Sequence, residues 1–508
     1  MLASVKSYAL EGLDGYAVSV EVDVNSGLPT VETVGLASTA TKESKERVRA
    51  AIRNSGFLYP MKRITVNLAP ADIKKEGSLL DLPIAVGILV CTECVTGRRY
   101  KDFVMAGELA LDGSIRHING VMPLIISAMQ RGERNFIVPA DDAAEAAYIE
   151  GINVYAFGKL ADVVDFLNGA PAEPVPVRGF DTVVKTRHYD SDFCHVKGQA
   201  VAKRALEIAV AGGHNILMSG PPGAGKTMLA KCVPTIMPDM TFDEAVEVTK
   251  IHSVAGTLDS AEGIVAVRPF RSPHHTATVP ALIGGGAKAR PGEVSLAHNG
   301  VLFLDEMPEY SRRALETLRQ PLEDKKVSVA RVMRSVEYPA NFMLVASMNP
   351  CPCGNYGSRT QACRCTAAQI HSYLAKLSGP LLDRIDLQVE VDGVEYAELR
   401  GGDKAENSAS IRERVERVRD IQRRRFAGRG IATNSQMGAR ELEEFCKIDE
   451  AGERILKRAF DKMGLTARAT TRILKVARTI ADLDGEESIL PKHLAEAIQY
   501  RNTERKLV

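Results

Sequence analysis

A glycine-rich loop between a short apolar run and a helix-compatible segment constrains the fold of this chain more than any other feature. Residues 215–227 read NILMSGPPGAGKT, which is the strand, loop and helix order of a phosphate-binding loop. Glycines let backbone N–H groups close on phosphate oxygens, a lysine reaches the β and γ phosphates, and the next hydroxyl binds Mg²⁺. The residues predicted to bind ATP and Mg²⁺ are Gly220, Pro221, Pro222, Gly223, Ala224, Gly225, Lys226 and Thr227.

Length and composition set broad limits. The chain has 508 residues, which is too long for one hydrophobic core and predicts roughly three domains. Its net charge is +1, so a surface that binds nucleic acid has to be local. Because the N-terminus lacks an apolar signal core and no apolar run is long enough to cross a bilayer, we expect a cytoplasmic protein without a membrane partner. The nine cysteines favour free thiols or metal ligands over a disulfide scaffold.

The first 168 residues predict an α+β domain. Val18–Val24 alternates between apolar and polar residues as a half-buried strand does, and Lys42–Ser55 has apolar residues at helical spacing. Strands over 64–68 and 134–139, with a buried helix over 80–90, continue the alternation. Prolines then interrupt residues 169–187, which indicates a semi-rigid extended linker.

Two buried strands further along the chain end in side chains suited to ATP hydrolysis. Asp305 and Glu306 follow one apolar run, and Asn349 follows the next. A buried carboxylate without a partner is costly, so the paired acids favour a catalytic explanation. We predict that Asp305 binds Mg²⁺ with Thr227, that Glu306 polarises the attacking water, and that Asn349 orients this water. The alternative for Asn349 is a strand-terminating Asn-Pro turn.

The N-terminal domain resembles the proteolytic domain of Lon-type proteases in residues 106–116, AGELALDGSIR, and in the following Gly120 and Ile137–Pro139. The resemblance implies a ribosomal S5 domain 2-like fold and makes peptidase activity an alternative function. Peptidase chemistry in that family needs a serine activated by a lysine. The serine position falls on Leu79, one residue from Ser78, and no lysine follows the glycine turn. We therefore interpret the domain as a structural or docking module.

The ATPase motifs resemble the AAA+ superfamily, its magnesium-chelatase-like branch and, within that branch, the ComM/YifB competence-protein family. The finer match lies in the runs 268–275 (RPFRSPHH), 292–298 (GEVSLAH) and 349–354 (NPCPCG). The resemblance implies a cytoplasmic ATP-driven ring, expected to be a hexamer, that acts on single-stranded or branched DNA. It implies branch migration while single-stranded DNA is integrated in natural transformation. The alternative is a chelatase-type ATP-driven protein remodeller without a DNA substrate.

The resemblance also gives a domain layout. The predicted fold is multidomain α/β. Its parts are a Lon-protease-like, S5-like α+β domain without a catalytic dyad (1–168), a proline-rich linker (169–187), an AAA+ P-loop α/β core (188–395) and a C-terminal helical lid (396–508).

Two arginines are assigned by the same resemblance. Arg384 matches the arginine finger that contacts the ATP of the neighbouring subunit, which requires a planar, permanently charged group. A surface salt bridge to Asp383 or Asp386 is the alternative. Arg468 matches the lid arginine that senses nucleotide in its own subunit, and Arg472, one turn further on, is the alternative for that assignment.

Three basic segments are candidates for contact with DNA. Residues 268–292 are glycine-rich and basic, and in the family that the chain resembles this segment is an insertion that projects from the core. Residues 325–338 predict a hairpin with Arg331 and Arg334 near its tip, where basic side chains can follow a phosphate backbone without reading sequence. The arginine-rich tail 423–429 is a candidate for contact with DNA or a neighbouring subunit. For each segment the alternative is a solvated charged loop.

Four cysteines in a polar segment predict a structural Zn²⁺ site. Cys351, Cys353, Cys363 and Cys365 have the spacing C-x-C-x9-C-x-C, and four thiolates can hold zinc tetrahedrally and so tie together a loop that cannot pack itself. The spacing departs from the usual CxxC pair, and free or oxidised thiols are the alternative. A separate CxxC at residues 91–94 is interpreted as two half-buried thiols.

Overall fold

The computed structural model describes residues 1–35, 39–71, 75, 77–185, 189–286, 289–330, 335–357, 361–393 and 406–501. Two compact units are present. One consists of Met1–Thr186 with Thr241–Ala266, and the other of Arg187–Met240 with Val267–Val508. The layout predicted from sequence places residues 241–266 in the ATPase core, whereas the structure packs them with the N-terminal unit. The core and the helical lid, predicted as separate domains, lie in one unit because they share one hydrophobic core.

The first unit is built around a seven-stranded mixed sheet of order β3-β4-β2-β1-β5-β8-β9, with β6 and β7 paired separately. Its strands are β1 (Leu2–Glu11), β2 (Asp14–Asn25), β3 (Thr30–Val34), β4 (Arg63–Ala69), β5 (Val104–Met105), β6 (Glu108–Leu109), β7 (Ile115–Arg116), β8 (Asn135–Pro139) and β9 (Asn153–Phe157). Its helices are α1 (Thr39–Asn54), α2 (Asp81–Cys91), α3 (Val121–Gln130), α4 (Ala143–Ala146), α5 (Leu160–Leu167), α6 (Phe180–Lys185) and α9 (Phe242–Ala255).

This sheet forms because its strands bury one face under α2. In β2, every second residue from Val18 to Val24 is buried, as the alternating sequence predicts. Helix α2 is buried along Asp81–Val90, which confirms the buried helix expected over 80–90. Gly87 permits the close approach of this helix, since a Cβ there would lie 2.6 Å from Val22 Cγ2.

Polar contacts explain why α9 belongs to the first unit. The Gly120 amide donates to Ser253 Oγ at 2.9 Å, and Ser253 Oγ donates to Glu145 Oε1 at 2.6 Å. The Met122 amide also donates to Glu145 Oε1, at 2.6 Å. Burial raises the pKa of Glu145 to about 7. Hydrogen bonds between segments so distant in the chain are not visible in local sequence patterns.

The second unit contains a five-stranded sheet of order β11-β14-β17-β10-β18 and two hairpins, β12–β13 and β15–β16. Its strands are β10 (Ile216–Ser219), β11 (Phe270–Arg271), β12 (Gly284–Gly285), β13 (Arg290–Pro291), β14 (Val301–Leu304), β15 (Lys326–Ala330), β16 (Ser335–Pro339), β17 (Met343–Met348) and β18 (Leu387–Glu390). Its helices are α7 (Ala200–Gly212), α8 (Lys226–Ile236), α10 (Val279–Ile283), α11 (Glu293–Leu296), α12 (Arg312–Thr317), α13 (Arg319–Asp324), α14 (Ala367–Leu374), α15 (Gly379–Leu382), α16 (Ser408–Arg425), α17 (Ala439–Phe445), α18 (Glu450–Met463), α19 (Ala467–Leu483) and α20 (Pro491–Gln499).

All neighbouring strands of the five-stranded sheet are parallel. Every residue of β10, β14 and β17 is buried, which accounts for their continuous apolar sequence, since helices cover both faces of a parallel sheet. The carboxyl ends of parallel strands meet at one edge. The residues that follow β10, β14 and β17 are therefore brought together there.

The C-terminal region is helical, as its sequence pattern predicts. Helix α19 packs against α7 and α20, and its buried Asp482 accepts hydrogen bonds from Arg425, Arg478 and Asn434. Within the described ranges, no helix is both long and apolar enough to cross a membrane.

Candidate nucleotide-binding site

The phosphate loop predicted from sequence is formed between β10 and α8. Gly223 and Gly225 have φ values of +78° and +87°, a left-handed conformation that favours glycine. A Cβ on Gly220 would lie 2.1 Å from the carbonyl oxygen of Val391, so this glycine allows the loop to pass next to the end of β18. The loop therefore has the backbone that its glycines predict, and it leads directly into the N-terminus of α8.

Lys226, the first residue of α8, reaches back across the loop. Its Nζ donates to Gly220 O at 2.6 Å, to Pro221 O at 2.9 Å and to Asn349 Oδ1 at 3.1 Å. Burial lowers the pKa of Lys226, while the charges of Asp305 and Glu306 raise it. Because the acceptors of these three hydrogen bonds are neutral oxygens, the ammonium charge is suited to bind an anion.

Thr227 and Asp305 face each other at the same edge of the sheet. Thr227 Oγ1 donates to Asp305 Oδ2 at 3.0 Å. The other carboxylate oxygen of Asp305 accepts hydrogen bonds from the Ser347 hydroxyl and, at 3.1 Å, from the Glu306 amide. A hydroxyl beside a carboxylate is a set of hard oxygen ligands that fits Mg²⁺. Ser347 is not among the site residues predicted from sequence, although a serine inside the otherwise apolar β17 is a visible signal.

Glu306 adopts a left-handed backbone with a φ of +50°, which is uncommon for a residue with a side chain. The side chain is 54% exposed, and Oε2 lies 4.0 Å from His275 Nδ1. The Glu306 amide donates to Ser347 Oγ at 3.2 Å. An exposed carboxylate on a constrained turn next to the phosphate loop has the placement needed to polarise water. In the sequence, His275 is visible only as part of the motif over residues 268–275.

Arg384 lies at the edge of the same sheet where the strands begin, opposite the phosphate loop. Asn215, directly before β10, donates through Nδ2 to Arg384 O at 2.9 Å. From Asn215 to Gly220 a strand rises roughly 16 Å, so Arg384 is well away from the phosphate loop of its own chain. Its side chain is 7% exposed, and its guanidinium forms an ion pair of 2.6 Å with Glu323. It also lines an open cleft of about 480 Å³. The alternative partners considered from sequence, Asp383 and Asp386, are not its ion-pair partner.

Arg468 lies close to this second edge too, because its helix α19 is bonded there through Arg472. Its positive charge, after that of Arg384, lowers the pKa of Glu323. One turn further along α19, Arg472 Nη1 donates to Asp386 Oδ1 at 2.6 Å. Burial favours the neutral form of Asp386, but Arg472 and His214 outweigh it and lower its pKa. This placement argues against the prediction that Arg468 contacts nucleotide in its own subunit, and it makes Arg472 a structural ion-pair partner.

The segments predicted to contact DNA have different environments. The hairpin is confirmed: β15 and β16 pair from Lys326 with Pro339 to Ala330 with Ser335, and Arg331 and Arg334 lie outside the described residues. Segment 268–292 was expected to project from the core, but it begins with core strand β11.

Four arginines in two of these segments already have partners. Arg268 donates to the carbonyl oxygens of Pro238, Asp239 and Asn299, and Arg271 pairs with Glu293. In the tail 423–429, Arg425 pairs with Asp482 and Arg429 with Glu444. The structure therefore does not favour these four side chains for phosphate contact.

The four cysteines of the predicted zinc site come together. Their Sγ atoms all lie within 4.8 Å of one another, and no other group of three or more His, Cys, Asp or Glu side chains in the described part of the chain has such an arrangement. In contrast, Cys91 of the separate CxxC directs its thiol to backbone carbonyls, including Val22 O at 3.3 Å. In the Lon-like region, the Ser78 hydroxyl donates to the Glu108 carboxylate rather than to a lysine.

Three family profiles match the chain. The profile of magnesium chelatase, subunit ChlI, matches residues 192–399, that of subunit ChlI of Mg-chelatase matches residues 20–142, and that of the subunit ChlI C-terminal region matches residues 405–501. Together they cover both units of the structure. The match over residues 192–399 contains the phosphate loop and the two strands that carry Asp305 and Asn349.

Individual relatives give a closer comparison. Over 513 residues, covering 100% of the chain and 98% of the relative, the identity to competence protein ComM of Haemophilus influenzae is 44%. The uncharacterized protein YifB of Escherichia coli is 42% identical over 511 residues, again covering 100% of the chain and 98% of the relative. Lon protease 2 of Bacillus subtilis is 28% identical over 159 residues, which cover 30% of the chain and 28% of that protein.

Proposed function

Because the chain belongs to the family of the competence protein ComM, we propose that it is a cytoplasmic, ATP-driven ring motor that acts on DNA. The observation that carries the proposal is the separation of two sets of residues within one chain. Lys226 and Asp305 lie at the edge where the strands end, and Arg384 and Arg468 lie at the edge where they begin. A ring, expected to be a hexamer, brings the arginine edge of one subunit to the phosphate loop of the next.

Hydrolysis is assigned to the residues at the strand-end edge. When bound, Mg²⁺ would neutralise the charge that develops on the transferred γ-phosphoryl group of ATP. Lys226 binds the phosphates, Thr227 and Asp305 would hold the metal through their side-chain oxygens, and Glu306 accepts a proton from the attacking water. Asn349, held by Lys226, orients that water. The neighbouring subunit's Arg384 and Arg468 stabilise transition-state charge in this proposal, which replaces the assignment of Arg468 to its own subunit.

The DNA substrate is proposed from two features. The relative's name connects it with competence, the state in which cells take up DNA, and the β15–β16 hairpin lies in the chain between Asp305 and Asn349. The base of the hairpin is anchored by a 2.8 Å hydrogen bond from the Ala340 amide to Lys325 O. Contact of a phosphate backbone with the basic hairpin can thus act on the two strands that bear hydrolytic residues. Branch migration of recombining DNA is the activity that we assign to such a motor.

The test is ATPase activity with no DNA and with single-stranded, duplex and branched DNA, using Lys226→Ala to measure background. We expect turnover in the wild type, at least threefold stimulation by single-stranded or branched DNA, and ATP-dependent movement of a labelled branch point. Turnover that no DNA alters, together with a stationary branch point, would refute the DNA motor and support the protein remodeller instead.

A further inference from the structure

The four Sγ atoms have the spacing of a tetrahedral metal site. Cys351 Sγ lies 3.4 Å from Cys353 Sγ and 3.7 Å from Cys363 Sγ, and the latter two are 3.6 Å apart. Zinc–sulfur bonds of about 2.3 Å at tetrahedral angles place sulfurs about 3.8 Å apart. All four cysteines are free rather than disulfide-bonded. This arrangement, which we name the thiol cluster, therefore has the ligand number, ligand type and dimensions of a zinc site.

Backbone amides support the thiol cluster as they support bound thiolates. The Tyr356 amide donates to Cys351 Sγ at 3.3 Å, and the Cys365 amide donates to Cys363 Sγ at 3.4 Å. Hydrogen bonds to ligand atoms orient them and stabilise their negative charge. Cys351 is fully buried while Cys353 is exposed, so the site is anchored to the protein on one side and open to solvent on the other.

The thiol cluster is also connected to the nucleotide site. Asn349 precedes Cys351 by two residues, and its side chain accepts a 3.1 Å hydrogen bond from Lys226 Nζ. Gly354, between the two pairs, packs on the phosphate loop, because a Cβ there would lie 2.5 Å from Pro222 Cδ. The segment that carries the cluster thus contacts the candidate ATPase site at two points.

We propose that the thiol cluster binds one Zn²⁺ ion, and that this ion holds Asn349 in contact with Lys226 and is therefore required for ATP turnover. The requirement of zinc for turnover rests on the proposed ATP hydrolysis, whereas the binding of zinc does not. Zinc acts here by position alone, since it ties two short segments into one rigid support. Phosphate binding by the glycine loop and Lys226 does not need the ion, so metal loss should lower kcat more than it weakens ATP binding.

The metal part is tested on full-length protein purified without added metal. We expect one zinc per chain, its loss in Cys351→Ser/Cys363→Ser, and its retention in the matched control Cys91→Ser/Cys94→Ser. Because Cys351 is buried and its replacement can impair folding, Cys353→Ser, at an exposed position, is a second variant that should also lose zinc. In addition, replacement of Zn²⁺ by Co²⁺ should give the intense visible absorption bands of tetrahedral cobalt–thiolate coordination. Folded wild type that contains no zinc and gives no such bands with Co²⁺ would overturn the site.

The coupling is tested by removing and restoring the metal. Zinc-depleted wild type should bind a fluorescent ATP analogue within threefold of the loaded protein, lose at least tenfold in kcat, and recover when Zn²⁺ is added. Unchanged kcat after complete zinc removal would overturn the coupling of zinc to ATP turnover but would not contradict the zinc site itself. If loaded protein holds zinc but hydrolyses no ATP, the proposed function fails, and the coupling that rests on it is overturned, while the metal site stands.

Two glycines provide a matched pair that leaves all four cysteines in place. Gly354 and Gly357 have similar φ values of +80° and +77°, but a Cβ on Gly357 meets nothing within 4 Å. Gly354→Ala should keep its zinc yet lose at least tenfold in kcat, because its methyl group presses on Pro222. Gly357→Ala carries comparable backbone strain and should keep both zinc and turnover. Equal kcat values in the two variants would contradict packing of this segment on the phosphate loop.

Discussion

Lys226 Nζ donates a 3.1 Å hydrogen bond to Asn349 Oδ1, and this contact joins two residues 123 positions apart in the chain. One residue opens α8 and the other follows β17, so the bond links the phosphate loop to the strand next to β10. It places an amide beside the ammonium that is predicted to bind the γ-phosphate. A water-orienting amide requires this position, whereas a simple strand-ending turn does not.

Glu306→Gln should preserve ATP binding and reduce kcat by roughly 100-fold or more, since the amide keeps the shape of the side chain but cannot take up a proton. The measurements are nucleotide affinity and steady-state ATPase rate. Glu309→Gln is the control: it lies on the same turn, and its carboxylate forms an exposed ion pair of 3.4 Å with Lys376. Turnover of Glu306→Gln within threefold of wild type would exclude it as the residue that activates water.

Mixing experiments test whether the arginines act across a subunit interface. Arg384→Ala and Lys226→Ala are each expected to be inactive, but mixed rings contain interfaces that pair an intact phosphate loop with an intact Arg384. Partial activity should therefore return. The same recovery is expected for Arg468→Ala mixed with Lys226→Ala, because Arg468 lies at the same edge as Arg384.

The Arg468 mixture distinguishes the two assignments. If Arg468 served its own subunit, every intact phosphate loop in that mixture would lack its arginine, and no activity would return at any ratio. Arg472→Ala provides a comparison, since its expected effect is structural: loss of the ion pair with Asp386 should lower the thermal stability of the second unit. Ring assembly has to be measured by size in each mixture.

Replacement of Arg331 and Arg334 by alanine should weaken DNA binding to a similar extent for all sequences. The salt dependence of DNA binding should become shallower, by the equivalent of up to about two phosphate contacts. The reason is that a protein with fewer phosphate contacts releases fewer counterions when it binds DNA. Basal ATPase should survive, and stimulation by DNA should be lost. Lys326→Ala is the control on the same hairpin, as its ammonium is held 3.0 Å from Glu337. An unchanged salt slope with unchanged stimulation would show that the hairpin tip is a solvated loop.

The raised pKa of Glu145 should make the stability of the first unit depend on pH. Its pKa of about 7, raised from 4.5 by burial, means that the folded unit binds the proton more tightly than the unfolded chain. The contribution of Glu145 to the free energy of unfolding should therefore be fully present below pH 4.5 and be lost as the pH rises through 7. Asp142 reinforces the shift and His117 opposes it. The total contribution is roughly 3 kcal/mol.

Glu145→Gln should remove this contribution, because a neutral amide oxygen can still accept from Ser253 and Met122. Hydrogen exchange of α3 amides in the full chain, corrected for intrinsic rates, gives the opening free energy at pH 5 and pH 8. From pH 5 to pH 8 the variant should lose less stability than wild type, by up to roughly 3 kcal/mol. The exposed Glu150→Gln serves as the control, and an equal loss in Glu145→Gln and wild type would contradict the prediction.

Features encoded by neighbouring residues could be predicted from the sequence. The glycine loop, the buried strands before Asp305 and Asn349, and the β15–β16 hairpin are all present in the structure. Each depends on local backbone preference or on a hydrophobic pattern within a few residues. The comparisons with known proteins confirm the family that these motifs indicate.

Features that depend on long-range contact could not be predicted in this way. A serine inside an apolar strand does not reveal that its hydroxyl meets Asp305, and the helical pattern of residues 242–255 does not reveal that Ser253 meets Gly120. In the sequence, Arg268 is one cation of a basic segment, and only the structure shows that its guanidinium donates to three carbonyl oxygens.

The sequence by itself determined the chemistry that this protein carries: a lysine, two acids and an amide on loops that follow apolar strands, and four thiols at close spacing. Only the tertiary structure decided which of these groups meet, because the parallel sheet brings Lys226, Asp305 and Asn349 to one edge and leaves Arg384 and Arg468 at the other. Strand direction and order arise from packing across the whole second unit, and no local pattern contains them.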